Sequence, residues 1–491
     1  MLQKFGHHIG GKEVGAATDA GFLSHNPVNG QPWGRFASGS AADVDLAVTT
    51  AAAAFTTWSK LSPTARGRLL VRWAESIRAE AERIGRIESV QNGKLLRETV
   101  GQARALPEWL YYYAGLADKI EGSVIPIERP QVVNYTMHEP LGVVGIITPW
   151  NSPSMLTMFA AAPALAAGNT LVIKPSEVTS VSMIELARLA EAAGIPAGVI
   201  NVVTGPRETA QALVDHPQIA KIAFTGSVEG GRAVAKRASE RLIGVTLELG
   251  GKSPQIVFAD ADLKQAQGGI LGGIFSSTGQ TCVAGSRLYV QRRVHDELVA
   301  GLVERVAKIR IGDPLLERTQ MGPVATIGQL QKDERMTAAA AAHGARVLCG
   351  GKRLELSELP GGYFFAPTIL GEVARDNPIQ REEVFGPVLS VVAFDEEEEA
   401  LELANDSQFG LAAGVWTLDF RRAHRVARAV QAGTVWVNMY RTLGFNSPVH
   451  GHKQSGLGSQ NGQDAIYQYL QTKSIWNNYG TAVDDPFADP V

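Results

Sequence analysis

Cysteine is almost missing from this chain: 2 among 491 residues, Cys282 and Cys349, far apart in sequence. That scarcity excludes a disulfide scaffold and any CxxC-type zinc or redox site. Long apolar runs are missing too. The longest, Met155 to Ala167, is about 13 residues with Pro163 inside it, against the roughly 20 that a membrane span needs, so it reads as a buried helix. Neither sign of charge dominates, since 46 basic and 49 acidic side chains leave a formal charge of −3. With no long basic run, the electrostatic footprint of a nucleic-acid binder is absent. The N-terminal MLQKFGHHIGGKE has no apolar leader core, and a cytoplasmic location is expected. No GxGxxG occurs, so the usual dinucleotide fingerprint is lacking. What remains is ordinary: 45% apolar and 19% charged residues, a composition that excludes global disorder and suits a protein of several domains.

The segment 67–90 places Leu70, Trp73, Ile77, Ala81 and Ile84 at helical spacing, which predicts one amphipathic helix. From residue 141 short apolar runs alternate with helical patterns. Strands are expected at 141–147, 170–173, 200–203, 221–224 and 245–249, with helices near 154–167, 180–193, 207–215 and 229–239. Such alternation predicts a parallel sheet covered by helices on both faces, with ligands beyond the carboxyl ends of the strands. A second α/β series follows Gly250: PQIVF, a helix through 262–278, RLYVQ and a helix near 295–309. A domain boundary is placed at Gly250–Gly251. Residues 122–140 have no helical period and read as an extended excursion. DEEEEA (395–400) reads as a solvated helix start, the alanines at 338–342 as helix filler, and the segment after Tyr479 as a loose terminus.

Cys282, in FSSTGQTCVAGSR, is the cysteine whose surroundings suggest reactivity. The glycine-bearing loop lets backbone approach a substrate, and nearby N–H groups could steady a thiolate and an oxyanion. The plain alternative is a small buried apolar residue, which Cys349 fits well. Glu248 ends an apolar strand before Gly250–Gly251. It could be a general base with a raised pKa, or a carboxylate that turns to solvent or pairs with Lys252. ITPWNSP sets Asn151 after the first strand of the series, where its amide could donate to an oxyanion. VIKPSE offers Lys174 and Glu177, and FTGSVEGG offers Ser227 with backbone N–H groups suited to a pyrophosphate.

ITPWN, KPSE, FTGS, LELGGKSP, GQTC, EEVFGP and SGLG stand in the order and spacing of the NAD(P)-dependent aldehyde dehydrogenase superfamily. The resemblance runs from NPVNG (26–30) to QTKSIW (471–476). It implies an α/β fold with a Rossmann-like cofactor domain (1–120 and 141–250), an α/β catalytic domain (251–450), and a small β oligomerisation arm and tail (121–140 and 465–491). It also implies Cys282 as the nucleophile, Asn151 with the Cys282 backbone N–H as oxyanion donors, and Glu248 as the base that hydrolyses a thioester. For the cofactor it implies Lys174 and Glu177 at the adenosine ribose, Gly226 and Ser227 at the pyrophosphate, Glu383 and Phe385 at the nicotinamide ribose and ring, and the Trp150 backbone beside them. NAD is preferred to NADP, because Glu177 can accept from both ribose hydroxyls and would repel a 2′-phosphate. A homodimer or homotetramer is expected, with a small-molecule aldehyde as the substrate.

The C-terminal pattern departs from the family. SPVHGHKQSGLGSQNG places Val449 and His450 where Phe-Gly is common, and Ser459 and Gln460 where Arg-Glu is common. Glu248 is therefore expected to act without a second carboxylate. His450 and His452 are too few for a metal site, and none is expected. By register the tunnel would be lined by Ser152, Leu156, Phe159, Thr281, Val283, Leu443 and Val449. An uncharged Phe159 favours a neutral aldehyde, and Ser152 with Val449 favours a bulky or ring-bearing one. Arg441, in MYRTLG, reads as a solvated loop residue; the alternative is a receptor for a carboxylated semialdehyde. A cysteine esterase and a non-catalytic relative are the rival classes.

Overall fold

The structure, a computed structural model, describes residues 2–481 and 485–487. Four helices follow a small N-terminal sheet: α1 (Ala41–Trp58), α2 (Pro63–Ala79), α3 (Ala81–Asn92) and α4 (Leu96–Leu116). Ser40 and Asp43 cap the start of α1 reciprocally, and Ser62 with Pro63 sets the start of α2. The single helix expected over 67–90 is two helices, broken at Glu80 (φ −102°, ψ 7°). The break is short enough to keep the apolar stripe in phase. Leu70, Trp73, Ile77, Ala81 and Ile84 are all buried in one core. The helices meet closely: a Cβ on Gly85 would lie 2.6 Å from the Val100 backbone nitrogen on α4.

The expected parallel strands form as Val143–Ile147, Thr170–Lys174, Ile200–Val202, Ile219–Thr225 and Gly244–Glu248. Their spatial order is Gly244–Glu248, Ile219–Thr225, Val143–Ile147, Thr170–Lys174, Ile200–Val202. Between them run α5 (Pro153–Ala167), α6 (Val181–Ala192), α7 (Arg207–Asp215) and α8 (Val228–Glu240). Side chains alternate across the sheet as a strand's period of two requires. Val144, Ile146, Leu171 and Ile173 pack with α2, α4, α5 and α6. Val143, Ile147, Val172, Ile222 and Leu247 pack with α1, α7 and α8. Two antiparallel edges were not foreseen in the sequence, His7–Ile9 with Lys12–Val14 at one side and Gly456–Leu457 at the other.

A seven-stranded sheet begins at Pro254–Val257 and includes Arg287–Gln291, Val388–Phe394 and Ala412–Trp416, with α9 (Leu263–Phe275) and α10 (Arg292–Val306) in its connections. Residues 132–140 pair antiparallel with Leu470–Asn478 along nine positions, and Val124–Ile125 adds a third strand. The alanines at 338–342 lie in the helix Ile327–Ala342. The acidic run opens the helix Glu397–Asn405, but Glu397 is not a solvated charge: it pairs with Arg425 at 2.6 Å and Arg422 at 3.4 Å. The expected loose terminus falls largely on 482–484 and 488–491, outside the described residues. No helix among the described residues is long and apolar enough to cross a membrane.

Candidate active site

The carboxyl ends of four neighbouring strands open on one cavity of about 430 Å³. Its wall holds Cys282, Glu248, Asn151, Trp150, Lys174, Glu177, Gly226, Ser227, Glu383 and Phe385. These ten residues come from six separate stretches of chain, and folding brings all of them together.

Cys282 leaves a strained turn. Ser277, Thr278 and Gly279 have φ of +55°, +56° and +74°, three left-handed residues in succession. A Cβ on Gly279 would stand 2.2 Å from the Gly386 carbonyl oxygen, so the approach to the nucleophile requires glycine there. The loop does not make a resting thiolate. Burial pushes the Cys282 thiol up to about 12, the charges of Glu383 and Glu248 add to that, and the Val283 N–H and Arg441 offset only part. The expected help to the thiolate is thus outweighed by desolvation, and Cys282 rests as a thiol.

Glu248 ends the strand Gly244–Glu248, buried, with Oε1 lacking any partner. Burial alone holds its carboxyl well above the usual range. It neither turns to solvent nor pairs with Lys252. That lysine is itself buried with Nζ unpartnered, pushed down to about 7 first by burial and then by Arg287. Asn151 is buried, and one amide hydrogen goes to the Gln280 carbonyl at 3.1 Å, leaving the other to the cavity.

Around them lies a setting for a phosphate-bearing ligand. Ser227 caps α8, its Oγ accepting from the Gly230 N–H at 3.1 Å, so the positive end of the helix meets the cavity. Lys174 is buried, its amine pulled down by desolvation, and sits 3.4 Å from the half-exposed Glu177. Phe385 (φ +63°) meets Trp150 edge-on at 5.4 Å. Glu383 accepts from the Gly251 N–H at 2.9 Å; a Cβ on Gly250 would come within 2.3 Å of its Oε2, and one on Gly251 within 2.4 Å of the Cys282 carbonyl. A buried cation, a helix N-terminus and an aromatic face in one cradle fit a dinucleotide.

Of the seven residues expected along a substrate tunnel, one lies on this wall and six do not. Leu156 lines the cavity. Phe159 is buried and stacked on Trp109 at 5.1 Å, Val283 packs with Leu411 and Trp436, Val449 bridges to Gln460, and Leu443 is exposed. Ser152 accepts from Lys94 Nζ at 2.9 Å, while Thr281 sits half-buried beside Cys282. Arg441 corrects the solvated reading: its guanidinium donates to the carbonyls of Gly272 at 3.1 Å and Ser276 at 3.2 Å. His450 and His452 are exposed, and no group of three or more potential metal ligands occurs among the described residues. Gln460 is buried with both amide atoms unpartnered. Gln329 and Lys332 also line the cavity; they stand on the helix Ile327–Ala342, of which the sequence reading singled out only the alanines at 338–342.

The aldehyde dehydrogenase family profile matches residues 15–475, and the chain belongs to that family. Among its curated relatives is (Z)-2-((N-methylformamido)methylene)-5-hydroxybutyrolactone dehydrogenase of Acinetobacter baylyi, 41% identical, covering 99% of both chains. The betaine aldehyde dehydrogenase of Cereibacter sphaeroides is 42% identical over 98% of both. Among solved structures, betaine aldehyde dehydrogenase of Staphylococcus aureus in complex with NAD+ superposes with a TM-score of 0.96 at 36% identity, covering 98% of this chain and 97% of that one.

Proposed function

We propose that the chain oxidises a neutral, bulky or aromatic aldehyde to the free carboxylic acid with NAD as acceptor. The observation that carries this reading is the convergence of Cys282, Glu248 and Asn151 on the cavity that also holds the dinucleotide cradle. The Cys282 thiol, pushed up to about 12, gives its proton to solvent as it attacks, which leaves the carboxylate of Glu248 free for the later hydrolysis. Sγ then bonds to the aldehyde carbon. The carbonyl π electrons move onto oxygen, where the free amide hydrogen of Asn151 and the Cys282 backbone N–H hold the charge. The C–H bond then breaks as hydride, for which NAD, when bound, would supply the acceptor, and the oxyanion's electrons re-form the carbonyl, leaving a thioester on Cys282. Glu248 takes a proton from water as the water oxygen bonds to the thioester carbon; the C–S bond then breaks with its electrons on sulfur, the acid leaves, and the proton on Glu248 passes to the sulfur to restore the thiol.

Lys174 and Glu177 would hold the adenosine ribose, Gly226 and Ser227 the pyrophosphate, Glu383 and Phe385 the nicotinamide ribose and ring, and the Trp150 backbone would border them. We assign 1–120 and 141–250 to the cofactor domain, 251–450 to the catalytic domain, and 121–140 with 465–491 to an arm that joins subunits into a homodimer or homotetramer in the cytoplasm. The uncharged Phe159, expected by register on the substrate side, supports a neutral substrate. Absorbance of reduced nicotinamide across aliphatic, aromatic, carboxylated and quaternary-ammonium aldehydes tests the reading. Highest kcat/KM with a neutral aldehyde and NAD is expected. A preference of about tenfold, 1.4 kcal/mol, for a charged aldehyde would overturn the substrate class.

A further inference from the structure

The corner between α3 and α4 reaches both loops that bear the reacting groups. Asn92 Nδ2 donates to the Trp150 carbonyl at 3.1 Å, and Lys94 Nζ donates to Ser152 Oγ at 2.9 Å and to Gln102 Oε1 at 2.9 Å. The residues on either side of Asn151 are therefore fixed from one place. Asn92 and Lys94 are both buried, and Gly93 between them takes φ +77°, with room for no more than hydrogen: a Cβ would lie 2.7 Å from Pro323. One turn further on, Glu98 addresses the other loop. Its Oε1 accepts from the Ser277 N–H at 3.1 Å and its Oε2 from Ser277 Oγ at 3.2 Å.

Ser277 opens the left-handed run that leads to Cys282. Left-handed backbone at a residue with a side chain costs about 1–3 kcal/mol, and it persists only where the surroundings dictate it. Here the surroundings are few and specific. Glu98 holds the first residue of the run by two bonds, Thr278 Oγ1 donates to the Gly322 carbonyl at 3.1 Å, and Gln280 Oε1 accepts from the Ala325 N–H at 2.8 Å. Arg441 adds a longer contact to Ser277 Oγ at 3.4 Å.

We propose that Glu98 is a positioning residue: through Ser277 it holds the strained turn that sets Cys282 against Asn151, which is itself fixed by Asn92 and Lys94 from the same corner. The inference rests on Cys282 as nucleophile and Asn151 as oxyanion donor. Because a misplacement of 1 Å can cost about 10²-fold in rate, the effect belongs in kcat rather than in cofactor affinity.

The test compares full-length wild type with Glu98→Ala and Glu98→Gln. Each is measured for kcat and KM with the best aldehyde, for NAD affinity by fluorescence, and for the rate at which iodoacetamide alkylates Cys282. Glu98→Ala is expected to lose about 10²-fold in kcat with NAD affinity unchanged. Its Cys282 should alkylate about tenfold faster as the turn opens. Glu98→Gln is expected to recover both, since its amide can still accept from the Ser277 N–H and donate to Ser277 Oγ. The proposal is overturned if Glu98→Ala keeps wild-type kcat, if Glu98→Gln falls with it, or if NAD affinity is lost in step with kcat. A wild type that oxidises no aldehyde would defeat the functional reading, while the alkylation rates would still judge the anchoring.

Discussion

Burial raises the pKa of both Glu248 and Cys282, and that shared environment shapes what each variant should do. In Glu248→Gln the neutral amide cannot accept the water's proton, so acid release should fail before oxidation does. Rapid mixing should show reduced nicotinamide approaching one equivalent per active site and then stopping, with the substrate's acyl mass found on Cys282. Continued turnover near the wild-type rate would assign the base elsewhere. Lys252 makes a second test at this scale. Its folded pKa, about 7, lies below the ordinary 10.5, so between those values the unfolded chain holds a proton that the folded chain lacks, and stability rises with pH across that window. Lys252→Met should melt higher than wild type near pH 7, with the gap closing toward pH 10. A gap independent of pH would show that Lys252 is not a buried charge. Cys282, Glu248 and Asn151 stood out in the sequence as candidates because each follows a strand or a glycine turn, while the roles proposed for them came from the family resemblance. The thiol's pKa could not be read there, since it depends on how much of the chain closes over it.

At the scale of elements, the strand Thr170–Lys174 and the start of α8 bracket the proposed cofactor. Glu177 stands just beyond that strand, its carboxylate half-exposed and 3.4 Å from Lys174. Removing it should relieve the repulsion toward a 2′-phosphate, so Glu177→Ser is expected to shift the NADP/NAD ratio of kcat/KM upward by about tenfold or more. An unchanged ratio would remove the charge argument for NAD. Periodicity located the helices and strands of the first sheet to within a few residues, because each buries a face. It joined α2 to α3, because the turn at Glu80 leaves the stripe from Leu70 to Ile84 unbroken. The edge strands His7–Ile9 and Gly456–Leu457 carry too few residues to show a period and are fixed by partners distant in sequence. The substrate side was placed by register alone; there Phe159 stacks on Trp109, Val283 packs with Trp436, and Val449 bridges to Gln460.

For the whole molecule, two sheets meet at Gly250–Gly251, and both sides contribute to one cavity. Glu248 and the cradle residues Lys174 and Ser227 come from before the glycines; Cys282, Glu383 and Phe385 come from after them. The close approaches there, 2.3 Å to Glu383 and 2.4 Å to the Cys282 carbonyl from a Cβ placed on either glycine, show why the junction has no side chains. Cysteine-mediated, NAD-linked aldehyde oxidation is the reaction proposed for this cavity. Reduced-nicotinamide absorbance, followed for wild type and Cys282→Ala with the same neutral aldehyde, tests it most directly. The expected result is steady turnover in wild type and none above background in Cys282→Ala, with NAD binding retained by both. Turnover preserved in Cys282→Ala would contradict it.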